Sequence, residues 1–539
     1  MKFKLLGILF LLQFSFSKIA FSTTYYVSTS GSDANTGTTI GTPFLTLAKA
    51  VSKATIAGDT IYVRSGTYPT ATTVSITKTG TAAKHIVLSV YPPDMINADS
   101  RPVFDFSSMS VLDANVGLKM GTSSIAIGYW DIYGIIIKGA GDNGMILQNS
   151  VHHTKIEFCS FTRNRDTGLQ LRSGSNHILI LNCDSYENAD RYTATSTSDG
   201  LGGNADGFAP KLDVGDSVIF RGCRAWMNSD DGWDGYLKTA GTAYPQGMTT
   251  ILEDCWAFHN GYYWLDGSTT SSENGNGFKM GGSSNQDEAH NFTAVRCLSF
   301  RNKAKGFDQN NNAGSIYLYN CTAHSNGDLD YGLNSTGVAY AANAVLVLYN
   351  NVSLGSKGVG IRSAGTPPTG TPVTYSTTYN KFVKSTTSTN YASLDSTGVT
   401  ARRNIDGSLP SITYMHLQTS PASSYIDAGA SLSSIFYHDA NSGIPFNGSA
   451  LDLGAFETTP AVSSTVYTFT GNGNWDVATN WQNNLVPPDS VTTGSQIIID
   501  PVIGGECLLN KYYKLSPGAT LTVVSGKIFR IPDYIQIVN

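Results

Sequence analysis

The sequence carries a repeat in which a cysteine is followed five residues later by an asparagine. The pairing occurs at Cys159 and Asn164, Cys183 and Asn188, Cys223 and Asn228, Cys255 and Asn260, Cys297 and Asn302, and Cys321 and Asn326. In most units an aromatic residue lies between the two, as in Cys223-Arg-Ala-Trp-Met-Asn228. Recurrence at one fixed offset is typical of a repeat architecture, here with a short strand in each unit that ends at an asparagine turn.

A second signal follows each unit, a glycine and then an apolar residue. The glycines are Gly168, Gly207, Gly232, Gly277, Gly306 and Gly332. The step from cysteine to glycine is nine residues in three units and eleven in the last, but 24 after Cys183 and 22 after Cys255. Two units therefore carry insertions, at Ala189 to Gly203 and at Gly261 to Glu273. The basic unit of about two dozen residues predicts a solenoid.

Short strands with one unit per turn predict an all-β fold, a right-handed parallel β-helix whose equivalent positions stack about 4.8 Å apart. The composition agrees, since only 14% of the residues are charged and 55 are glycine, which favours strands and turns over a helical bundle. We expect the cysteines to form a buried interior column, although disulfides between coils are geometrically conceivable. We expect the asparagines to form a hydrogen-bonded ladder.

The segments outside the repeats predict the domain organisation. Thr42 to Ala54 has an early proline and apolar residues at helical spacing, which predicts a short capping helix over the first coil. Lys2 and Lys4 before an apolar run are typical of a signal peptide. The predicted domains are a signal peptide (1–22), a β-helix domain (23–457) and a small C-terminal β module (458–539). In that module, Trp475 and Trp481 fit a core better than a carbohydrate-binding surface.

The charge balance excludes some classes of partner. The formal net charge is −5 at pH 7, which gives no reason to expect a nucleic acid or a membrane surface as partner. After the signal peptide, no stretch reaches the ~18 apolar residues of a membrane-spanning helix. Together with the signal peptide, this predicts a secreted protein without a membrane span, which we expect to be a monomer.

Carboxylates collect at one corner of the predicted solenoid. In the strand after each repeat glycine the first residue is apolar and should point inward, so the next one should point outward. This outward column reads Gln170, Ala209, Asp234, Lys279, Asp308 and Asn334. Two positions further along, the same face carries Arg172, Lys211, Tyr236, Gly281 and Asn310. Asp206 and the pair Asp230–Asp231 stand at the turns before the glycines.

Four carboxylates on two neighbouring coils predict a calcium site, because like charges repel and Ca²⁺ takes about six to eight oxygen ligands. The alternative is turn chemistry, since aspartate beside glycine is common in turns. A solitary outward lysine is ordinarily a solvated group. Lys279, however, would lie beside the predicted cation, which would lower the pKa of its amine and let it act as a general base. The reaction that fits is β-elimination on a uronate.

Four segments resemble motifs of polysaccharide lyase family 9, which are pectate lyases on a β-helix. They are Asn204-Ala-Asp-Gly-Phe-Ala-Pro-Lys-Leu212, Cys223-Arg-Ala-Trp-Met-Asn-Ser-Asp-Asp-Gly-Trp-Asp234, Asn274-Gly-Asn-Gly-Phe-Lys-Met-Gly-Gly282 and Lys303-Ala-Lys-Gly-Phe-Asp-Gln-Asn-Asn-Asn312. The resemblance covers about Tyr25 to Glu457. It implies a pectic polysaccharide as substrate, Lys279 as the Brønsted base, and as calcium ligands Asp206, Asp230, Asp231 and Asp234.

The two insertions border the expected cleft and leave the polymer open: homogalacturonan, the rhamnogalacturonan backbone or another uronate polymer. Candidate substrate-binding residues on the outward columns are Arg172, Lys211, Asp308 and Asn310. Two other function classes stay open. A glycoside hydrolase would use Asp230 and Asp231 as acid and base, which leaves Lys279 without a role. A non-catalytic surface β-helix would leave the clustered charge unexplained.

Overall fold

The computed structural model of the protein describes residues 21–121, 125–190, 203–238, 248–263, 274–361, 373–375, 379–385, 387–439, 443–458, 465–488, 490–491, 494–511, 513–515, 518–532 and 537–538. The predicted signal peptide, apart from residues 21 and 22, and most of both insertions lie outside these residues. The chain divides into two compact units, Met1–Glu457 and Thr458–Asn539.

The first unit is a coil of parallel strands, with three strands in each regular turn, which form sheets A, B and C in chain order. Sheet A comprises Thr24–Val27, Thr60–Val63, Ile86–Val90, Trp130–Tyr133, His152–Glu157, Asn176–Leu181, Val218–Arg221, Thr249–Glu253, Asn291–Val295, Ile316–Tyr319, Leu346–Tyr349 and Val373–Tyr375. Sheet B comprises Thr67–Pro69, Val103–Asp105, Ile136–Lys138, Ser160–Thr162, Asp184–Tyr186, Arg224–Trp226, Trp256–Phe258, Leu298–Phe300, Thr322–His324, Val352–Leu354 and Lys381–Val383. Sheet C comprises Val74–Ile76, Leu118–Met120, Met145–Leu147, Leu169–Leu171, Phe208–Pro210, Trp233–Asp234, Phe278–Lys279, Phe307–Asp308, Tyr331–Leu333 and Val359–Ile361. The predicted parallel β-helix is confirmed.

The apolar residues of sheet C stack inside the coil. Phe208, Trp233, Phe278, Phe307 and Tyr331 follow one another with ring centroids 4.9, 4.9, 5.0 and 4.9 Å apart. These spacings match the repeat distance of paired strands. All five side chains are buried, so the residue that follows each of them in the strand points away from this core.

The last predicted position of the outward column is wrong. Tyr331 pairs with Phe307 and Gly332 pairs with Asp308, so Gly332 occupies the position that the glycine spacing predicts for Asn334. The physical reason is that the strand begins at a fixed distance from the cysteine. Tyr331 follows Cys321 by the same interval that separates Phe307 from Cys297, and Gly332 lies inside the strand rather than before it.

The cysteine and asparagine columns form as predicted. The six repeat cysteines are buried free thiols, so the disulfide alternative is wrong. Along the asparagine column each Nδ2 donates to the Oδ1 of the next side chain, at 2.9, 2.9, 3.0, 2.9 and 2.9 Å from Asn164 to Asn326. The Nδ2 of Asn326 then donates to Oδ1 of Asp330 at 2.9 Å. A buried carboxylate therefore ends the ladder.

The capping helix is shorter than predicted and spans Leu47–Lys53. Thr46 is its N-cap, with a side chain that accepts a hydrogen bond from the backbone N–H of Lys49 at 3.2 Å, and this fixes the start well after Pro43. Ala50 and Val51 lie in the same buried core as the first strands. Two 3-10 helices follow, at Pro92–Asp94 and Ala98–Ser100. Within the described residues, no helix combines the length and the apolar character that crossing a membrane requires.

Residues 387–439 and 443–457 contain little regular structure and pack against the outside of the coil. Tyr414 and Leu453 share a buried apolar cluster with Phe258 and Phe300 of sheet B. In the same region Arg403 lies 2.7 Å from the carboxylate of Asp184. The segment therefore covers sheet B, and sheet C carries the clustered charge.

The second unit is a smaller coil of three parallel sheets. They are Val466–Phe469 with Gln496–Ile499 and Thr520–Val523; Gly473–Asn474 with Glu506–Leu508 and Ile528–Arg530; and Ser490–Val491 with Tyr513–Leu515 and Ile537–Val538. Two 3-10 helices span Ala478–Asn480 and Gln482–Asn484. Trp475 and Trp481 are 0% and 2% exposed, so they belong to the core, and the alternative of a carbohydrate-binding surface at these two residues is wrong.

Candidate active site

Sheet C and the turns before it bring the predicted site residues together. Asp234 pairs with Lys279 on the adjacent strand. The backbone N–H of Gly207 donates to the carbonyl of Asp231, and that of Gly232 donates to the carbonyl of Asn276. Asp206, Asp231 and Asn276 therefore hold equivalent positions in successive coils. The repeat spacing thus places one of these side chains from each coil at the corner where the turn enters sheet C.

Three of the four predicted carboxylates converge. Ligand oxygens of Asp206, Asp231 and Asp234 all lie within 4.8 Å of one another, and the three residues are buried. Asp230 stands beside this group, where its Oδ1 accepts a long hydrogen bond of 3.4 Å from the backbone N–H of Gly275. We call Asp206, Asp231 and Asp234 the carboxylate cluster.

Two lysines enter the carboxylate cluster. Nζ of Lys279 lies 3.1 Å from Oδ2 of Asp231 and 3.4 Å from Oδ1 of Asp234. Nζ of Lys211 donates to Oδ2 of Asp206 at 2.6 Å and to Oδ2 of Asp234 at 3.1 Å. Asp234 thus lies between the two ammonium groups. Lys211, predicted as a substrate contact, is held here as a counter-ion of the carboxylates.

Several polar groups that orient the carboxylate cluster were not predicted. Oδ1 of Asp231 accepts hydrogen bonds from the backbone N–H and the Nδ2 of Asn276, at 2.6 and 2.9 Å. Thr167 Oγ1 donates to Oδ2 of Asp206 at 3.3 Å. Asn276 and Thr167 stand directly before repeat glycines, as Asp206 and Asp231 do. The residue directly before each repeat glycine therefore forms a column of its own, and this column is the sequence signal that identifies Asn276 and Thr167.

Burial and charge set the protonation behaviour of the site. Burial alone would lower the pKa of Lys279, but the nearby carboxylates, led by Asp231 and Asp234, raise it well above its ordinary value. Burial would raise the pKa of Asp234, but Lys279 and Lys211 lower it below its ordinary value. Burial raises the pKa of Asp206 well above its ordinary value. Without a bound ligand, Lys279 is therefore a cation, the opposite of what a base requires.

The donor set of the carboxylate cluster fits a hard divalent cation. Carboxylate oxygens are the ligands that Ca²⁺ prefers, and three of them converge here. Oδ2 of Asp231 is buried and accepts no hydrogen bond, since its contact with Lys279 is an ion pair of poor hydrogen-bond geometry. This oxygen therefore has unused acceptor capacity that a bound cation would satisfy.

A cleft of about 760 Å³ opens at this corner. Its walls include Asp230, Asp234, Tyr236, Lys279 and two of the candidate substrate contacts, Arg172 and Lys211. The other two candidates stand apart. Among the residues that the structure describes, neither Asp308 nor Asn310 lines the cleft; Asp308 Oδ1 accepts from Lys305 Nζ at 2.9 Å, and Asn310 Nδ2 donates to the carbonyl of Gly281 at 2.9 Å.

Residues 25–350 match the family model described as Pel9A-like, right handed beta helix region. The chain belongs to this family, which is that of polysaccharide lyase family 9. Like its family, it is a polysaccharide lyase. The matched stretch holds every residue of the carboxylate cluster and both lysines.

Curated and solved relatives agree with this assignment. The chain is 34% identical over 445 residues to pectate lyase L of Dickeya chrysanthemi, covering 80% of this chain and 90% of the relative. The crystal structure of pectate lyase Pel9A is similar with a TM-score of 0.64 and 30% identity, over 82% of this chain and 98% of that one. A rhamnogalacturonan lyase follows, with a TM-score of 0.59 and 25% identity over 74% of this chain and 97% of that one.

Proposed function

We propose that the protein is a calcium-dependent lyase that cleaves a uronate-containing pectic polymer by β-elimination, with Lys279 as the base. One observation carries the proposal. Lys279 lines a cleft, and its amine lies 3.1 Å from Asp231 in a cluster of three carboxylates. The relatives named pectate lyase and rhamnogalacturonan lyase support a pectic substrate.

Asp206, Asp231 and Asp234 are the residues that would hold the calcium ion, with Asp230 beside them as a further carboxylate. A bound Ca²⁺ would supply positive charge that replaces the ammonium groups as partner of these carboxylates, lowers the pKa of Lys279 and neutralises the uronate carboxylate. The coil orients these side chains before any ligand arrives, because Asp231 accepts a hydrogen bond from Asn276, Asp206 from Thr167, and Asp234 from the backbone N–H of Tyr236.

Lys279 then moves the proton. Its neutral amine takes the proton from the ring carbon that bears the carboxylate, C5. The electron pair of that bond forms the double bond between C4 and C5, and the bond from C4 to the glycosidic oxygen breaks. The oxygen leaves with the electron pair and takes up a proton from solvent. One chain end is then an unsaturated uronate, and the lysine returns its proton to solvent.

The cleft supplies cations for the rest of the chain. Arg172 lines it and is oriented by Gln148, whose Oε1 accepts from Nη2 at 2.9 Å. A planar guanidinium suits a carboxylate, so we assign a uronate contact to Arg172. Lys211 would become available to substrate when its carboxylate partners take another cation. Asp308 and Asn310 would bind only a polymer that extends past the cleft. We also propose secretion after removal of residues 1–22, and a monomer.

The test compares three variants at one concentration of calcium. Lys279→Arg keeps a positive charge beside Asp231 but cannot become neutral near physiological pH, and Lys279→Gln removes the charge. We expect both to lose at least about three orders of magnitude in turnover, the range that a positioned acid or base contributes, while calcium binding measured by calorimetry is retained. The control, Lys357→Gln, changes an exposed lysine and should leave turnover unchanged. An active Lys279→Arg variant would show that the charge alone suffices and would reject the base assignment.

A further inference from the structure

We propose that the same cleft holds a second site for a hard divalent cation, built from Asp142 and Asp166 with the side-chain amide oxygens of Asn143 and Gln170. It lies two coils before the carboxylate cluster. Cation binding there does not depend on the proposed function. Its use in holding substrate does rest on that function.

The second site repeats the columns of the first. The backbone N–H of Gly144 donates to the carbonyl of Thr167, and that of Gly168 donates to the carbonyl of Asp206. The position before each repeat glycine is therefore equivalent from coil to coil, and Asn143 occupies the position that Asp206 occupies two coils later. Asp166 directly precedes Thr167, and two coils later Asp230 directly precedes Asp231, so Asp166 and Asp230 are equivalent as well.

The outward column of sheet C completes the equivalence. Gln170 pairs with Ala209, and the pairing of Phe208 with Trp233 places Ala209 next to Asp234. Gln170 is thus two coils before Asp234 in the same column. The second site and the carboxylate cluster therefore carry oxygen donors at corresponding positions of their coils. All four residues of the second site line the cleft.

The carboxylates of the second site have no close counter-ion. Asp142 is buried, and burial together with the neighbouring carboxylate of Asp166 raises the pKa of Asp142 to about 8. Among the residues that the structure describes, no lysine or arginine forms an ion pair with either carboxylate. In the carboxylate cluster, by contrast, Lys211 and Lys279 fill that role. Lys211 acts on Asp166 only from a distance, and the pKa of Asp166 remains raised by burial. Two adjacent carboxylates without a counter-ion either share a proton or bind a cation.

Unused oxygen atoms independently indicate a ligand. Asn143 is 4% exposed, and its Oδ1 accepts no hydrogen bond. Its Nδ2 points at the carboxylates, 3.1 Å from Oδ1 of Asp142 and 3.4 Å from Oδ2 of Asp166. Rotating the amide by half a turn places Oδ1 there instead. Gln170 is also 4% exposed, and its Oε1 is likewise without a hydrogen bond. A hard cation between the carboxylates satisfies all of these oxygens together.

The two sites lie about 10 Å apart along the cleft, because successive coils repeat at about 4.8 Å. A cation at the second site would hold another carboxylate of the polymer whose reacting residue lies at Lys279. Binding two carboxylates of one chain would favour polymers with closely spaced uronates over isolated ones.

The stoichiometry of calcium binding tests the inference without any turnover. Titration calorimetry of the full chain with CaCl₂ at pH 9, above the raised pKa of Asp142, should show two equivalents. The double variant Asp142→Asn/Asp166→Asn should bind one equivalent of Ca²⁺, at the carboxylate cluster. The double variant Asp231→Asn/Asp234→Asn should also bind one equivalent, at the second site. Asp113→Asn is the matched control, since Asp113 is an exposed carboxylate that lines the same cleft; it should bind two.

A second variant keeps every charge. Gln170→Met removes one neutral oxygen donor, and we expect at least tenfold weaker affinity at one of the two equivalents. One equivalent in the wild type, or two in the variant of Asp142 and Asp166, would overturn the inference and would mean that this pair only shares a proton. A lyase that binds one equivalent would leave the proposed function intact, whereas two equivalents in a protein without lyase activity would reject that function alone.

Discussion

Nζ of Lys279 lies 3.1 Å from Oδ2 of Asp231, and the two residues stand at the same corner of successive coils. The proposed base and the proposed calcium ligands thus come from two neighbouring columns of the coil, one in the strand (Asp234 and Lys279) and one in the turn before it (Asp206 and Asp231). The period of the coil sets their separation, so substitutions at this corner can change charge without moving the backbone.

Asp231→Asn tests the role of the carboxylate cluster. The amide keeps the size of the side chain but removes one of three converging negative charges, so we expect the calcium concentration for half-maximal activity to rise on the order of tenfold, a loss of about 1.4 kcal/mol in binding. The measurement is initial rate against free calcium. Asp328→Asn, at an exposed turn, is the control with the same change of charge. An unchanged calcium requirement would contradict the ligand assignment.

Asn228→Ala tests the asparagine ladder. Asn228 is buried and accepts from Nδ2 of Asn188 at 2.9 Å while donating to Oδ1 of Asn260 at 3.0 Å. Truncation removes the oxygen that accepts from both the backbone N–H and the Nδ2 of Asn188, and the Nδ2 that donates to Asn260; each buried polar group that loses a partner costs about 1–3 kcal/mol. We expect the free energy of unfolding in urea to fall by about 2–5 kcal/mol. Asn334→Ala, which truncates an exposed asparagine, should change it by less than about 0.5 kcal/mol; equal losses would refute a structural role for the ladder.

His324 predicts a pH dependence of stability. Burial lowers the pKa of His324 to about 4, from its ordinary value of 6.5. Below pH 6.5 the unfolded chain takes up a proton that the folded protein does not, so this contribution to stability is complete above pH 6.5 and is lost as pH falls toward 4. The free energy of unfolding should therefore decline less steeply from pH 7 to pH 4.5 in His324→Gln than in the wild type. Parallel declines would show that His324 is not the group responsible.

The sequence predicts the coil well because its signals are periodic. One offset, from Cys223 to Asn228 and its equivalents, sets the strand, the buried thiol column and the ladder. The alternation of a strand then predicts that Asp234 and Lys279 are neighbours on the same face. The register error at Asn334 arises where a glycine, rather than the cysteine, is used to align the last coil.

Features without a period were not predicted. The position of Lys211 among the carboxylates depends on a long flexible side chain, whose direction strand alternation does not determine. Tyr414 and Arg403 belong to a segment that has no repeat of its own, so its packing on sheet B emerges only from the tertiary structure. Asn276 is a different case: it lies in the repeated column before the glycines, but its neutral side chain gives no charge signal that would mark it as part of the site.

The central claim is that this corner of the coil performs a calcium-dependent β-elimination. The most direct measurement is the ultraviolet absorbance of unsaturated uronates, with the mature protein on homogalacturonan and separately on rhamnogalacturonan, first with added Ca²⁺ and then with a chelator. The account predicts that absorbance grows on at least one of these polymers and stops when the chelator is added. Chain shortening without absorbance, unaffected by the chelator, would contradict it and identify a hydrolase.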